Sequence, residues 1–400
     1  MLKTLNTGDL TPGYEIDARI DKLRAGMAAQ GIELAIILQN VDILYFTGTL
    51  QRGVLAVSAE HGPAFFVEKS LYRARIETPL EIIPIKRDKE VKDILVEKKM
   101  YPARCAMELD VVPVAIYQRW KSLLGLADVG DLSAIIRDCK ITKSEFEIEQ
   151  LRKSGAICER VFEKAKTIIR EGIREVDIDA ELLAEGRKRG HQGFLRMRGL
   201  NQEMMSCYVT HGYSTTVTSG ADVPISGIGL THAIGQGASV NVVRHGVPVI
   251  VDYGGGYNGY ITDETRAYAT GPLKDVFHKP FEVSREIIEE TMGFAKEGID
   301  GTEIFGRAFK RVKEAGLEAH FMGHGEGQVA FIGHGLGLEI NELPVITPRH
   351  KILLKEGMVF AFEPKFIFPG EGAIGIEVDF VVRKDGLERL TKTPLDIVYV

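Results

Sequence analysis

Four acidic residues of the C-terminal half are set into its most apolar strand-like runs, and this constrains the fold more than any other feature of the sequence. Asp252 closes Val247-Pro-Val-Ile-Val, Asp263 closes Gly259-Tyr-Ile-Thr, Glu363 follows Met358-Val-Phe-Ala-Phe, and Glu377 follows Ala373-Ile-Gly-Ile. The first two are separated by Gly254-Gly-Gly-Tyr-Asn-Gly and the last two by a segment containing Pro369-Gly-Glu-Gly. Both separations suit hairpin turns that bring each pair of carboxylates side by side. Taken singly, each acid reads as an exposed strand-end residue; taken as two hairpins of the same design, they converge on one sheet surface. Burying four carboxylates without counter-charge costs more than packing returns, so such a surface calls for cations. His334, in Gly333-His-Gly-Leu-Gly-Leu-Glu, adds an imidazole on a backbone that glycines make permissive. An oxygen-rich set with one nitrogen suits Mn, Fe, Co or Zn. Two such ions about 3.5 Å apart would activate water and polarise a carbonyl.

The rest of the chain frames this half. At 400 residues the sequence exceeds what one hydrophobic core ordinarily serves, and 44% apolar with 26% charged residues describes a globular protein. The formal charge of −6, with no long run of Lys and Arg, argues against nucleic acid as a partner. Cys105, Cys139, Cys158 and Cys207 form no CxxC pair and read as reduced thiols. The first residues, Met1-Leu-Lys-Thr-Leu-Asn-Thr-Gly, lack the apolar core of a signal peptide, and no apolar run reaches membrane-spanning length, so a cytoplasmic protein without a membrane partner is expected. Residues 17–31 place Ile20, Leu23, Met27 and Ala28 at helical spacing up to Gly31. Short apolar strands follow at Leu34-Ala-Ile-Ile-Leu, Val54-Leu-Ala-Val, Ala64-Phe-Phe-Val and Glu81-Ile-Ile-Pro, which predicts an α/β domain over 1–140. Thr142-Lys-Ser-Glu then reads as the N-cap of a long helix opening a second domain, 141–400, with further helices over 177–189, 274–297 and 302–315. The glycine runs match neither the dinucleotide fingerprint nor a phosphate-binding loop with its lysine.

The ordered set Val251-Asp-Tyr-Gly, Thr262-Asp-Glu-Thr-Arg266, Gly333-His-Gly-Leu-Gly, Phe362-Glu-Pro and Ile376-Glu, spread over about 125 residues, resembles the pita-bread superfamily of methionine aminopeptidase, aminopeptidase P, prolidase and creatinase. Tyr45-Phe-Thr-Gly resembles the prolidase and creatinase N-terminal domain, and Lys143-Ser-Glu the start of the catalytic domain. The resemblance implies a creatinase/prolidase-like α/β N-terminal domain followed by an α+β pita-bread catalytic domain. It also implies five metal ligands: Asp252, Asp263, His334, Glu363 and Glu377. Asp252 and Asp263 would bind one metal, Asp263 and Glu377 would bridge, and His334 with Glu363 would complete the other, while Arg266 supports the ligands from behind.

The resemblance further implies a dinuclear metal-dependent hydrolase of the Xaa-Pro peptidase type, acting on short peptides as a homodimer. The auxiliary residues depart from that pattern. Ala330 and Asn341 stand where proline-specific peptidases have histidines, and Gly375 where they have an arginine. Asn341 could still hydrogen-bond a carbonyl but could not take up a proton. His232 is the candidate to replace the early histidine, which would otherwise fall near Gly227; His324 and His245 are weaker candidates, and Tyr253 and Tyr257 could line the pocket. The departures leave open a non-peptidase reaction on the same fold, a small-molecule C–N hydrolase or a lyase. Retention of all five ligands argues against a binding module without chemistry.

Overall fold

The structure, a computed structural model, describes residues 8–400. By internal contacts the chain divides into one unit that runs to Lys140 and takes in Arg198–Gln202, and a second made of Ile141–Met197 and Glu203–Val400. The five-residue excursion has an ionic cause. The Arg198 guanidinium forks between Asp42 at 3.0 Å and Asp110 at 2.8 Å, a charge-assisted arrangement that ties it to the first unit.

The first unit is built on a six-stranded mixed sheet in the order Ile82–Pro84, Ala64–Val67, Gly53–Ser58, Leu34–Ile37, Cys105–Met107, Gly130–Asp131. Each apolar run read as a strand lies in it. The preceding helix, Gly13–Ala29, starts one turn earlier than its apolar spacing predicts, because the Pro12 carbonyl already accepts from the amides of Glu15 and Ile16. Ile16, Ile20, Leu23 and Met27 form its buried stripe; Ala28 faces solvent. The Tyr-Phe-Thr-Gly segment is the end of helix Asn40–Thr47, closed by Gly48 at φ 74°, with the Tyr45 hydroxyl donating to the Cys139 carbonyl at 2.8 Å.

The second unit repeats one arrangement twice: a sheet backed by two helices. The first sheet has the order Val398–Tyr399, Tyr260–Ala269, Val249–Tyr257, Cys207–His211. Helices Glu145–Ile168 and Glu175–Lys188 cover one face of it, where Val249, Val251 and Tyr253 pack with Ile157, Val161, Phe162, Ile178 and Leu182. Because side chains alternate along a strand, Asp252 must then point to the other face. The second sheet runs Glu342–Ile346, Gly333–Gly335, Val359–Phe362, Val378–Arg383, Gly386–Arg389, and a separate hairpin pairs Lys365–Phe368 with Gly372–Gly375. Phe360, Phe362, Val378, Phe380 and Val382 share a core with helices Asp275–Phe294 and Gly301–Ala315, through Phe281, Ile288, Ile304 and Ala308. By the same alternation Glu363, Glu377 and Asp379 face away from those helices. Among the described residues no helix is long and apolar enough to cross a membrane.

Three further details differ from the sequence reading. The four acids do not share one sheet: Asp252 and Asp263 lie on the first sheet, and Glu363 and Glu377 at the edge of the second. The glycines 254–256 do not form a turn but continue strand Val249–Tyr257, and the turn proper is Asn258-Gly259, both at positive φ (51° and 90°). The middle of the run is confined by its neighbours: a Cβ at Gly255 would lie 2.3 Å from Thr262 Oγ1, 2.7 Å from Cys158 Sγ and 2.8 Å from Ser154 Oγ, all on buried residues. Nor are Asp252 and Asp263 direct cross-strand partners. Asp252 pairs with Thr265 and Asp263 with Gly254, so the two carboxylates are diagonal neighbours on one face.

Candidate metal centre

The helix-free faces of the two sheets supply one cluster. The registers Phe362↔Val378 and Lys365↔Gly375 set Glu363 opposite Glu377 where the chain passes from sheet to hairpin. The amide of Glu377 donates to the Thr265 carbonyl at 3.2 Å and that of Asp263 to the Asp379 carboxylate at 2.9 Å, which joins the two sheets at this point. Asp263, His334 and Glu377 each offer a ligand atom within 4.8 Å of the others. His334 Nε2 stands 3.8 Å from Asp263 Oδ2 and 3.9 Å from Glu377 Oε1.

The remaining two acids face a residue that sequence reasoning did not single out. Lys365 is 2% exposed, and its ammonium donates to Asp252 at 3.0 Å, Glu363 at 2.9 Å and Glu377 at 2.6 Å. The signal was present in the sequence: Lys365 follows Glu363 by two residues on an otherwise apolar stretch, so one strand face carries both. Gly375, opposite it, leaves it room, since a Cβ there would lie 2.7 Å from Lys365 Cα and 2.9 Å from its Cγ.

The electrostatics follow from this crowding. Burial first, then the negative charges of Glu377 and Asp252, hold the Asp263 carboxyl well above its ordinary range. Burial likewise pushes Glu377 up to about 8, with Lys365 pulling back and Glu363 and Asp252 adding to the rise. Burial alone would lower the Lys365 pKa, but Asp252, Glu363 and Glu377 outweigh it and keep the ammonium charged.

Further residues hold the cluster in place. Thr265 Oγ1 donates to Glu377 Oε2 at 2.7 Å. Arg266, wholly buried, donates to the backbone carbonyl of Glu377 at 2.7 Å and pairs with Glu264 at 3.2 Å.

The auxiliary candidates are placed variously. Asn341 is exposed at the start of strand Glu342–Ile346, which pairs with the His334 strand. His232 is exposed on a tight turn bridged from Thr231 to Ile234, outside the three-residue group. His245 is engaged elsewhere, its Nε2 2.8 Å from Glu171 and its Nδ1 3.1 Å from the Thr270 hydroxyl. Tyr253 is core, its ring fully buried.

Comparison with known proteins defines the class. Residues 149–384 match the model of metallopeptidase family M24, and residues 19–141 that of the creatinase/prolidase N-terminal domain. The chain belongs to metallopeptidase family M24, with the creatinase/prolidase-like N-terminal domain and pita-bread catalytic domain that its sequence resembles. It is 25% identical to the Xaa-Pro dipeptidase of Pyrococcus furiosus over 382 residues, covering 95% of this chain and 99% of that protein. Among solved structures, the X-Pro aminopeptidase of Thermotoga maritima superposes with a TM-score of 0.78 at 25% identity, over 95% of this chain and 99% of that one. The Xaa-Pro dipeptidase of Bacillus anthracis shares the fold with a TM-score of 0.82 at 24% identity, over 96% and 100% of the two chains.

The family implies divalent metal ions. The carboxylate–imidazole–carboxylate group of Asp263, His334 and Glu377 fits one such ion by donor type and spacing. The neighbouring place among Asp252, Glu363 and Glu377 does not offer the same fit, because the Lys365 ammonium already draws on an oxygen of each.

Proposed function

We propose that the chain is a metal-dependent peptidase of the Xaa-Pro dipeptidase kind, acting on short peptides in the cytoplasm. The observation that carries this is the buried group of Asp263, His334 and Glu377, lying inside the region that matches metallopeptidase family M24. End-to-end alignment with a protein named Xaa-Pro dipeptidase supports the substrate class. The four cysteines, all buried free thiols, fit a reducing compartment.

Asp263, His334 and Glu377 would hold the ion, with Mn, Co, Fe or Zn suited to the mixed donors. A divalent ion there supplies Lewis acidity toward a peptide carbonyl and makes water more acidic. The chain's own residues supply the positioning. Thr265 fixes the Glu377 carboxylate, Arg266 fixes its backbone, and Lys365 neutralises part of the charge on Asp252, Glu363 and Glu377. Asn341, at the head of the strand beside His334, is the candidate to donate its amide to the substrate carbonyl. It takes that role in preference to His232, whose exposed turn is not joined to the cluster by any strand register.

The test is a substrate panel with the metal varied: Xaa-Pro dipeptides, other dipeptides, and small amidino and sulfonium compounds, each with Mn(II), Co(II), Fe(II) or Zn(II). Cleavage of Xaa-Pro dipeptides that is lost on chelation is expected. No peptide cleavage with any of the metals would contradict the reading, and turnover of an amidino or sulfonium compound would replace it with the other chemistry.

A further inference from the structure

We infer that the chain holds a single divalent cation, on Asp263, His334 and Glu377, and that the Lys365 ammonium permanently fills the second cation place among Asp252, Glu363 and Glu377. The inference rests on the metal-dependent reading above and concerns how many ions that site takes. Three observations carry it.

The first is valence. An ammonium has three N–H donors, and Lys365 has three carboxylate partners at 3.0, 2.9 and 2.6 Å, so its donor capacity is met at this one place. The second is how Glu377 divides its oxygens. Oε2 faces Lys365 and the Thr265 hydroxyl, while Oε1 faces His334, so the carboxylate links ammonium and metal group as a bridging ligand would link two metals. The third is fit. Lys365 is fully buried in a hairpin strand whose partner position is Gly375, and any side chain at 375 would collide with it.

A second divalent ion would press against the ammonium while competing with it for the same oxygens.

The experiment is Mn(II) stoichiometry on the full chain after exhaustive chelation and dialysis, read by elemental analysis and by electron paramagnetic resonance. One equivalent is expected, with the hyperfine sextet of an isolated ion. Lys365→Ala, which removes the ammonium and opens its volume, is expected to take two equivalents and to show the broadened spectrum of a coupled pair. Two equivalents in the wild type would overturn the inference while leaving the metal-dependent peptidase reading intact, as would a folded Lys365→Ala that still binds one. No binding of Mn(II), Co(II) or Zn(II) by the wild type would overturn both. Should Lys365→Ala fail to fold, the wild-type stoichiometry and spectrum decide the matter alone.

Discussion

Glu377 is held from three directions. Its side chain accepts from Lys365 and Thr265 on one oxygen and Arg266 grips its backbone carbonyl, while the other oxygen stands 3.9 Å from His334 Nε2. A carboxylate so fixed presents its free oxygen without rearrangement, which is what ligand preorganisation requires. Thr265→Val removes one of those directions at nearly constant volume. It should weaken Mn(II) affinity by roughly 10–100-fold, the usual cost of losing a partner behind a metal ligand. Its stability cost should be only about 1 kcal/mol, the net worth of one hydrogen bond. Isothermal titration with Mn(II) beside a urea melt separates the two, and an unchanged affinity would show that Thr265 only packs. At this scale the acids were legible in the sequence because charged residues inside apolar strands must be compensated. Lys365 carried only the weaker signal of its two-residue spacing from Glu363, because a single lysine ordinarily snorkels to the surface, and its burial against three carboxylates is what shows that it turns inward.

Among the elements, those with local signals match the structure most closely. The helix expected after Thr142-Lys-Ser-Glu opens with a full capping box: Ser144 Oγ accepts from the Glu147 amide at 3.2 Å, and the Glu147 carboxylate accepts from the Ser144 amide at 3.0 Å. The glycine run 254–256 read wrongly as a turn because glycine serves both turns and crowded strands, and only the neighbours that press on it tell the two apart. Strand Cys207–His211 carries a titratable lock of its own. His211 Nδ1 donates to the Pro248 carbonyl at 3.1 Å and its Nε2 accepts from the Arg244 amide at 3.0 Å, so the ring is neutral with both nitrogens engaged. Burial, with Arg244 adding to it, lowers its pKa from 6.5 to about 4. Between those values the unfolded chain binds a proton that the folded chain refuses. The contribution is therefore complete above pH 6.5 and is lost as pH falls toward 4. Unfolding free energies from urea melts of wild type and His211→Gln should converge over that window by up to roughly 3 kcal/mol. A constant gap between them would show that His211 does not titrate differently in the two states.

For the molecule as a whole, the strand pattern put the four acids on one sheet surface, whereas the structure divides them between two sheets whose helix-free faces supply one cluster. The five-residue excursion Arg198–Gln202 was hidden, since it depends on Arg198 meeting Asp42 and Asp110, which are distant in sequence. The part played by Lys365 was hidden for the same kind of reason: the acids set a charge to be met, and what meets it depends on which cations the fold brings among them. The proposed role of this cluster, centred on Asp263, His334 and Glu377, is to hold a metal ion for peptide cleavage. Its most direct test is the hydrolysis of an Xaa-Pro dipeptide by metal-free protein as Mn(II) is added in steps. No turnover is expected at the start, then a rise to a plateau at one equivalent, with no rise at all in Asp263→Ala. Full turnover after exhaustive chelation, or an Asp263→Ala variant as active as the wild type, would contradict it.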